Sequence, residues 1–95
     1  MKTTEQKILD FATEQWGYKD LKGIALKLAE ESGEIAGACI KIDDLDKELG
    51  DSLIVISQLA ARRGRTIEDL RTYRFRQIQE RAAILDSENA QSDSR

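Results

Sequence analysis

The stretch LDKELGDSLIVISQLAARRG, residues 45–64, decides how this chain folds. Its apolar residues recur at helical spacing along one side, and Ile54, Val55 and Leu59 carry the apolar surface round to a second side. The residues on the first side are Leu45, Leu49, Leu53, Ile56 and Ala60. An apolar surface this wide predicts a helix that is buried on two sides and ends at Gly64.

Two further helices are expected before this stretch. Thr3 and Gln6 resemble a capping box, and the helical spacing of the apolar residues that follow predicts a helix over residues 4–16, ended by Gly17. A second helix is predicted over residues 20–41, followed by Asp43-Asp44, which can cap the next helix. Its apolar face consists of Leu21, Ile24, Leu28, Ile35, Ala38 and Ile42.

A fourth helix is predicted after Thr66, which can cap it together with Asp69. Its inward stripe combines apolar residues with two arginines: Ile67, Leu70, Arg74, Ile78, Arg81 and Leu85. The segment that follows is almost entirely polar, so we expect a helical domain over residues 1–86 and a disordered tail over residues 87–95. Short polar connections favour an all-α fold with an antiparallel four-helix bundle-like core.

Composition limits the classes of function. A domain of 95 residues buries a smaller fraction of its surface than larger domains do, so we expect a second copy to complete its core. A net charge of −3 gives no general attraction to a nucleic-acid polymer, and no apolar run approaches the roughly 20 residues that span a bilayer. The lone Cys39 and the polar start MKTTEQK indicate a cytoplasmic protein without a signal peptide.

The most informative feature is the position of four acids relative to the apolar faces. Glu31 falls within the apolar face of the second helix, about 60° from Leu28, and Glu34 lies at its edge. Glu48 and Asp51 repeat the same three-residue spacing on the third helix. The connection between the two helices is short, so the acid pairs can meet across an antiparallel pair of helices.

Four inward carboxylates repel one another unless they are protonated or neutralised. Hard divalent cations with oxygen ligands solve this problem, and the chain contains no histidine that would suggest zinc. Single acid pairs of this spacing usually lie on solvated helix faces. The combination of two pairs on adjoining helices nevertheless favours a metal site.

The segments KLAEESGEIAGA, residues 27–38, and KELGDSL, residues 47–53, resemble the EExxE and ExxD motifs of the MazG-type all-α nucleotide pyrophosphohydrolases. The resemblance covers about residues 16–82. It implies a helical core that forms dimers or tetramers, with Mg²⁺ as cofactor and Mn²⁺ as a possible substitute. It also implies cleavage of nucleoside triphosphates between the α and β phosphates, which releases the monophosphate and pyrophosphate.

By motif position, the resemblance makes Glu31, Glu34, Glu48 and Asp51 the metal ligands and Glu30 the candidate catalytic base. The chain departs from the family pattern at Arg74 and Gln77, where an asparagine and a lysine are usual. It departs again at Ile54 and Val55, which replace aromatic residues. Base preference is expected to differ accordingly.

Four other residues are candidates for substrate binding. Trp16 can stack on a base or close the pocket, or it can be an ordinary core anchor. Lys27 can contact phosphate or form a salt bridge with Glu31. Arg74 and Arg81 share the inward stripe of the last helix and require an anionic partner, whereas the cluster of Arg62, Arg63 and Arg65 is expected at a solvated helix end.

Two other functions remain open. A phosphoribosyl-ATP pyrophosphohydrolase of histidine synthesis would use the same four acids on a different substrate. A helical interaction module that keeps the fold without enzymatic activity would form oligomers but show no metal-dependent turnover.

Overall fold

A computed structural model describes residues 1–41 and 44–93 of the chain, and its regular structure there is entirely helical. The helices are α1 (Thr4–Trp16), α2 (Leu21–Lys41), α3 (Leu45–Arg62) and α4 (Ile67–Asp93). The all-α prediction is confirmed. Ile42 and Asp43, expected on the apolar face of α2 and in the cap of α3, lie outside the described residues, as do residues 94–95 of the expected tail. None of the described helices is long and apolar enough to cross a bilayer.

The helix ends follow the predicted signals in most places. The Thr3 hydroxyl accepts a hydrogen bond from the backbone N–H of Gln6 at 3.1 Å, and Gly17 ends α1 with a φ of +83°, where a side chain would be strained. Thr66 and Asp69 exchange both bonds of a capping box, at 3.0 and 3.4 Å. Asp44 occupies the N-cap position of α3, as expected, but its side chain makes no capping hydrogen bond.

The core forms around α3, which packs against both α1 and α2. Packing of α3 on two sides is thus confirmed, but Leu49, Leu53 and Ile54 remain exposed in the single chain. The buried apolar residues are mostly small: Ala12, Ile24, Ala38, Val55, Ala60 and Ala61. Small side chains let helix backbones approach closely, so added volume at the centre of α3 will be poorly tolerated.

Several residues on the expected apolar faces are exposed in the single chain. They include Phe11, Trp16, Leu21, Leu49 and Leu53. The helical spacing therefore identifies the correct faces, but one chain covers them only in part.

The largest departure from the predicted bundle is α4. It makes little contact with α3, and residues 68–90 are all exposed, so the chain extends over 62 × 39 × 23 Å. The expected inward position of Arg74 and Arg81 is wrong for a single chain, because both residues are exposed in the part of the chain that the structure describes. Helical periodicity shows which residues share a face but does not supply the surface that buries it. The helix also includes residues 87–93, for which the sequence predicts a disordered tail.

Overpacking the centre of α3 tests this arrangement. We expect Ala60→Leu to lower the free energy of unfolding by about 1–3 kcal/mol, because Ala60 is almost fully buried. Urea unfolding followed by circular dichroism measures the change. Ala83→Leu, on an exposed side of α4, is the control and should change stability by less than about 0.5 kcal/mol. Equal stability of the two variants would contradict the assignment of the core.

Candidate metal centre

Four carboxylates meet where α2 and α3 run side by side. Glu31 and Glu34 come from α2, Glu48 and Asp51 come from α3, and one oxygen of each lies within 4.8 Å of the others. The two acid pairs lie on either side of the short connection, so their meeting requires an antiparallel arrangement of the helices. We call these four residues the acid cluster.

Two oxygens of the acid cluster are buried without a partner. Glu31 is 4% exposed, and its Oε1 lies 3.2 Å from the Lys27 ammonium. The Oε2 atoms of Glu31 and Glu48 have no hydrogen-bond partner in the part of the chain that the structure describes. Burying an anionic oxygen without a partner costs free energy, so the folded chain presents these atoms ready to bind a cation.

Crowding of the carboxylates raises the pKa of Glu34. A hydrogen bond with Glu48 contributes most to raising the pKa of Glu34 to about 7. Partial loss of water and the negative charges of Glu31 and Glu48 raise this pKa further. The cluster therefore tends to retain a proton near neutral pH when no cation balances its charge.

Two lysines compensate part of the charge. The Lys27 ammonium lies 3.2 Å from Glu31 and 3.7 Å from Glu30, and the Lys47 ammonium lies 3.2 Å from Asp51 and 3.6 Å from Glu48. Hydrogen bonding to Glu31 raises the pKa of Lys27, and hydrogen bonding to Asp51 raises that of Lys47. Four carboxylates and two ammonium groups leave a formal charge of −2, which one divalent cation balances.

The donor atoms of the cluster fit a hard cation. All four candidate ligands are carboxylates, and oxygen donors of this kind suit Mg²⁺, Mn²⁺ or Ca²⁺ better than the softer transition metals. The unpaired oxygens of Glu31 and Glu48 are two donor atoms that such a cation could take.

Glu30 lies beside the acid cluster but outside it. Its side chain is exposed, and its carboxylate lies 3.7 Å from the Lys27 ammonium. A carboxylate in this position can accept a proton from a molecule bound next to the cluster.

A cavity of about 470 Å³ adjoins the acid cluster. Its lining consists of Ala12, Trp16, Gly17, Lys19, Ile24, Lys27, Glu31, Asp51, Ile54, Val55 and Gln58. The volume lies within the range of small-molecule sites, and a charged end beside an apolar wall suits a ligand of mixed character.

Trp16 belongs to the wall of this cavity. Trp16 is 62% exposed, so it is not buried in the core of the single chain. The ring packs edge-on against Phe11, with 5.8 Å between the ring centroids, and this contact orients the indole without burying it.

The sequence does not single out Gln58 and Lys19 as cavity residues. Gln58 follows Asp51 by seven residues, so two turns of α3 bring both to the same side, which is the signal that could have identified it. Lys19 lies in the loop before α2, where helical periodicity gives no information.

The arginines are distributed differently from the expectation. Arg74 and Arg81 do not line the cavity, and Arg74 donates a hydrogen bond to the side chain of Gln77 at 3.3 Å. Arg62 lies in the last turn of α3, as expected, and is partly buried: it donates to the carbonyl of Lys19 and lies over the ring of Tyr18, 4.8 Å from its centroid.

Comparison of the chain with protein-family models, with curated proteins and with solved structures finds no match.

The titration of Glu34 yields a test in the absence of divalent cations. Because its pKa is higher in the folded chain, the folded state binds more protons than the unfolded state between pH 4.5 and about 7. The contribution of Glu34 to the free energy of unfolding should therefore be largest below pH 4.5 and should fall as the pH rises through this window. Thermal melts in a chelator across the pH range measure it.

Glu34→Gln is the matched control, because it keeps a hydrogen-bond donor and removes the titrating group. As the pH rises, the Tm of the wild type should fall relative to the Tm of Glu34→Gln. Parallel curves would show that Glu34 does not experience the crowding described.

Proposed function

We propose that the chain is a Mg²⁺-dependent pyrophosphohydrolase that cleaves nucleoside triphosphates, including deoxynucleoside triphosphates, between the α and β phosphates. The observation that carries the proposal is the acid cluster, with buried unpaired oxygens on Glu31 and Glu48, at the edge of a partly apolar cavity. The resemblance of residues 27–38 and 47–53 to the MazG-type motifs gives independent support.

Glu31, Glu34, Glu48 and Asp51 would bind Mg²⁺, or Mn²⁺ in its place, through carboxylate oxygens. When bound, the cation neutralises phosphate charge and lowers the pKa of a coordinated water. The acid cluster and the triphosphate are both negatively charged, so they would meet through the cation they share.

The residues around the cluster divide the remaining work. Glu30 accepts a proton from the attacking water, whose oxygen forms a bond to the α phosphorus. The bond from that phosphorus to the bridging oxygen breaks, and pyrophosphate leaves with this oxygen. Lys27 fixes Glu31 through a contact of 3.2 Å and, from the cavity wall, can also reach a phosphate.

The cavity beyond the cluster would take the nucleoside part of the substrate. Trp16 offers an exposed indole face, and stacking of a base on an aromatic ring is favourable for every base. The physiological role we propose is the removal of non-standard or surplus nucleotides from the cytoplasmic pool.

Phosphoribosyl-ATP is the alternative substrate for the same acid cluster, and direct comparison with the common triphosphates separates the two. A helical interaction module without activity is the alternative of another class. The exposed apolar residues of α4 favour an interaction surface, but that surface does not explain the unpaired carboxylate oxygens at the cluster.

We further propose that a homodimer or homotetramer is the functional form. The stripe of α4 exposes Leu70, Ile78 and Leu85, and α3 exposes Leu49 and Leu53. Apolar surface of this extent on a small chain is suited to association with a second copy. Since Arg74 and Arg81 share that stripe and do not line their own cavity, they would reach the substrate of a partner chain.

Removal of single carboxylates tests the catalytic role of the cluster. Glu34→Ala and Asp51→Ala should abolish turnover, because the cation loses a ligand, while the helical content is retained. Release of pyrophosphate from each common nucleoside triphosphate with saturating Mg²⁺ measures the loss. Glu80→Ala, an exposed acid on α4, should have wild-type activity. Turnover within a few-fold of wild type in either cluster variant would remove that residue from the mechanism.

The arginines of α4 test whether one chain contributes to the substrate site of another. Arg74→Ala and Arg81→Ala should each lower kcat/KM by roughly ten- to a hundredfold, the effect of a lost charge-assisted hydrogen bond. Arg76→Ala, on the opposite side of α4, should have little effect.

Mixing of an inactive variant with an impaired one shows whether the arginines act across an interface. After exchange of subunits, Glu34→Ala with Arg74→Ala should regain part of the activity, because some sites then combine intact halves from both chains. Sedimentation reports the assembly of each sample. A stable monomer at micromolar concentration, or three arginine variants with the same activity as wild type, would refute the shared site.

A further inference from the structure

Gln58 has a distinctive position in the cavity that adjoins the acid cluster. Among the side chains that line it, only this amide is uncharged and offers both a hydrogen-bond donor and an acceptor. Its Nε2 donates to the backbone carbonyl of Ile54 at 3.4 Å, a long bond that can be exchanged for one to a ligand.

The direction of the cavity is set by α3. Asp51 and Gln58 are separated by two turns of this helix, a rise of about 10.5 Å. A nucleotide whose phosphates lie at Asp51 would therefore extend along α3. The group that its sugar carries would lie beside Gln58. Ile24, Ile54 and Val55 line the cavity as well, so that group meets apolar side chains around a single neutral polar one.

We infer that Gln58 is the residue that determines base preference, its amide binding the edge of a nucleobase stacked against Trp16. The inference rests on the proposed function, since it assigns the nucleoside end of that site. An amide can pair with adjacent donor and acceptor groups of a base, and a polar group left unpaired in such a site discriminates strongly between ligands. The other polar side chains of the lining are charged or, in the Trp16 indole, donors only, and so cannot form this pair of bonds.

Binding of nucleosides in a chelator tests the inference without any turnover. Trp16 is the sole tryptophan, so quenching of its fluorescence reports occupancy of the cavity directly. Adenosine, guanosine, cytidine and uridine are titrated into wild type, Gln58→Leu and Gln58→Asn, with Gln79→Leu on the exposed surface of α4 as control. Thermal melts verify that each variant is folded.

Wild type should bind the four nucleosides with different affinities. Gln58→Leu should lower the affinity for the most tightly bound nucleoside by roughly tenfold, because both bonds to the base edge are lost. The four nucleosides should then bind with similar affinities. Gln58→Asn, whose amide is set back by one methylene, should also lose the preference, and Gln79→Leu should keep it. Affinity for Mg²⁺ with inorganic triphosphate, which has no base, should be equal in all four proteins.

Unchanged preference in folded Gln58→Leu, or absence of nucleoside binding to wild type, would overturn the inference. Base-dependent binding that requires Gln58 in a chain that hydrolyses no triphosphate would support the inference while refuting the proposed enzymatic activity. The two failures are therefore distinguishable.

Discussion

Electrostatic repulsion among four carboxylates is the constraint on which the rest of the site depends. The packing of α2 against α3 forces their acid pairs within 4.8 Å of one another, and the surrounding helices remove water from Glu31 almost completely. Lys27 and Lys47 relieve the repulsion in part. Protonation of Glu34, which its raised pKa favours, relieves it further. A divalent cation would remove the remaining charge and satisfy the unpaired oxygens, which would link folding to cation binding at this one place.

The same packing positions the cavity. Because α3 carries Asp51, Ile54, Val55 and Gln58 on successive turns, one helix supplies a metal ligand at one end of the cavity and a neutral amide at the other. The end of α1 adds Trp16 as an exposed aromatic wall. A nucleotide site needs a charged end for the phosphates and a partly apolar end for the base, about one sugar apart. Both ends of this cavity come from three helices that pack through small residues.

Much of this arrangement can be predicted from sequence. The capping residues Thr3 and Thr66 and the glycines at 17 and 64 mark helix ends, because each acts through local backbone geometry. The acid cluster is predictable because two identical spacings flank a short turn. By contrast, the contact of Arg62 with Lys19 and Tyr18 joins residues more than 40 positions apart, and no local pattern encodes it. The exposure of α4 cannot be predicted for a related reason. The spacing of residues such as Ile78 and Arg81 shows that they share one side of the helix, but not which surface packs against that side.

The central claim is that the acid cluster directs water to the α phosphorus of a nucleoside triphosphate. The most direct measurement is hydrolysis of each common triphosphate with Mg²⁺ in water labelled with heavy oxygen, followed by mass spectrometry of the products. The account predicts that the label appears in the nucleoside monophosphate and that pyrophosphate is released unlabelled. Label in pyrophosphate or orthophosphate, or no hydrolysis of any triphosphate, would contradict it.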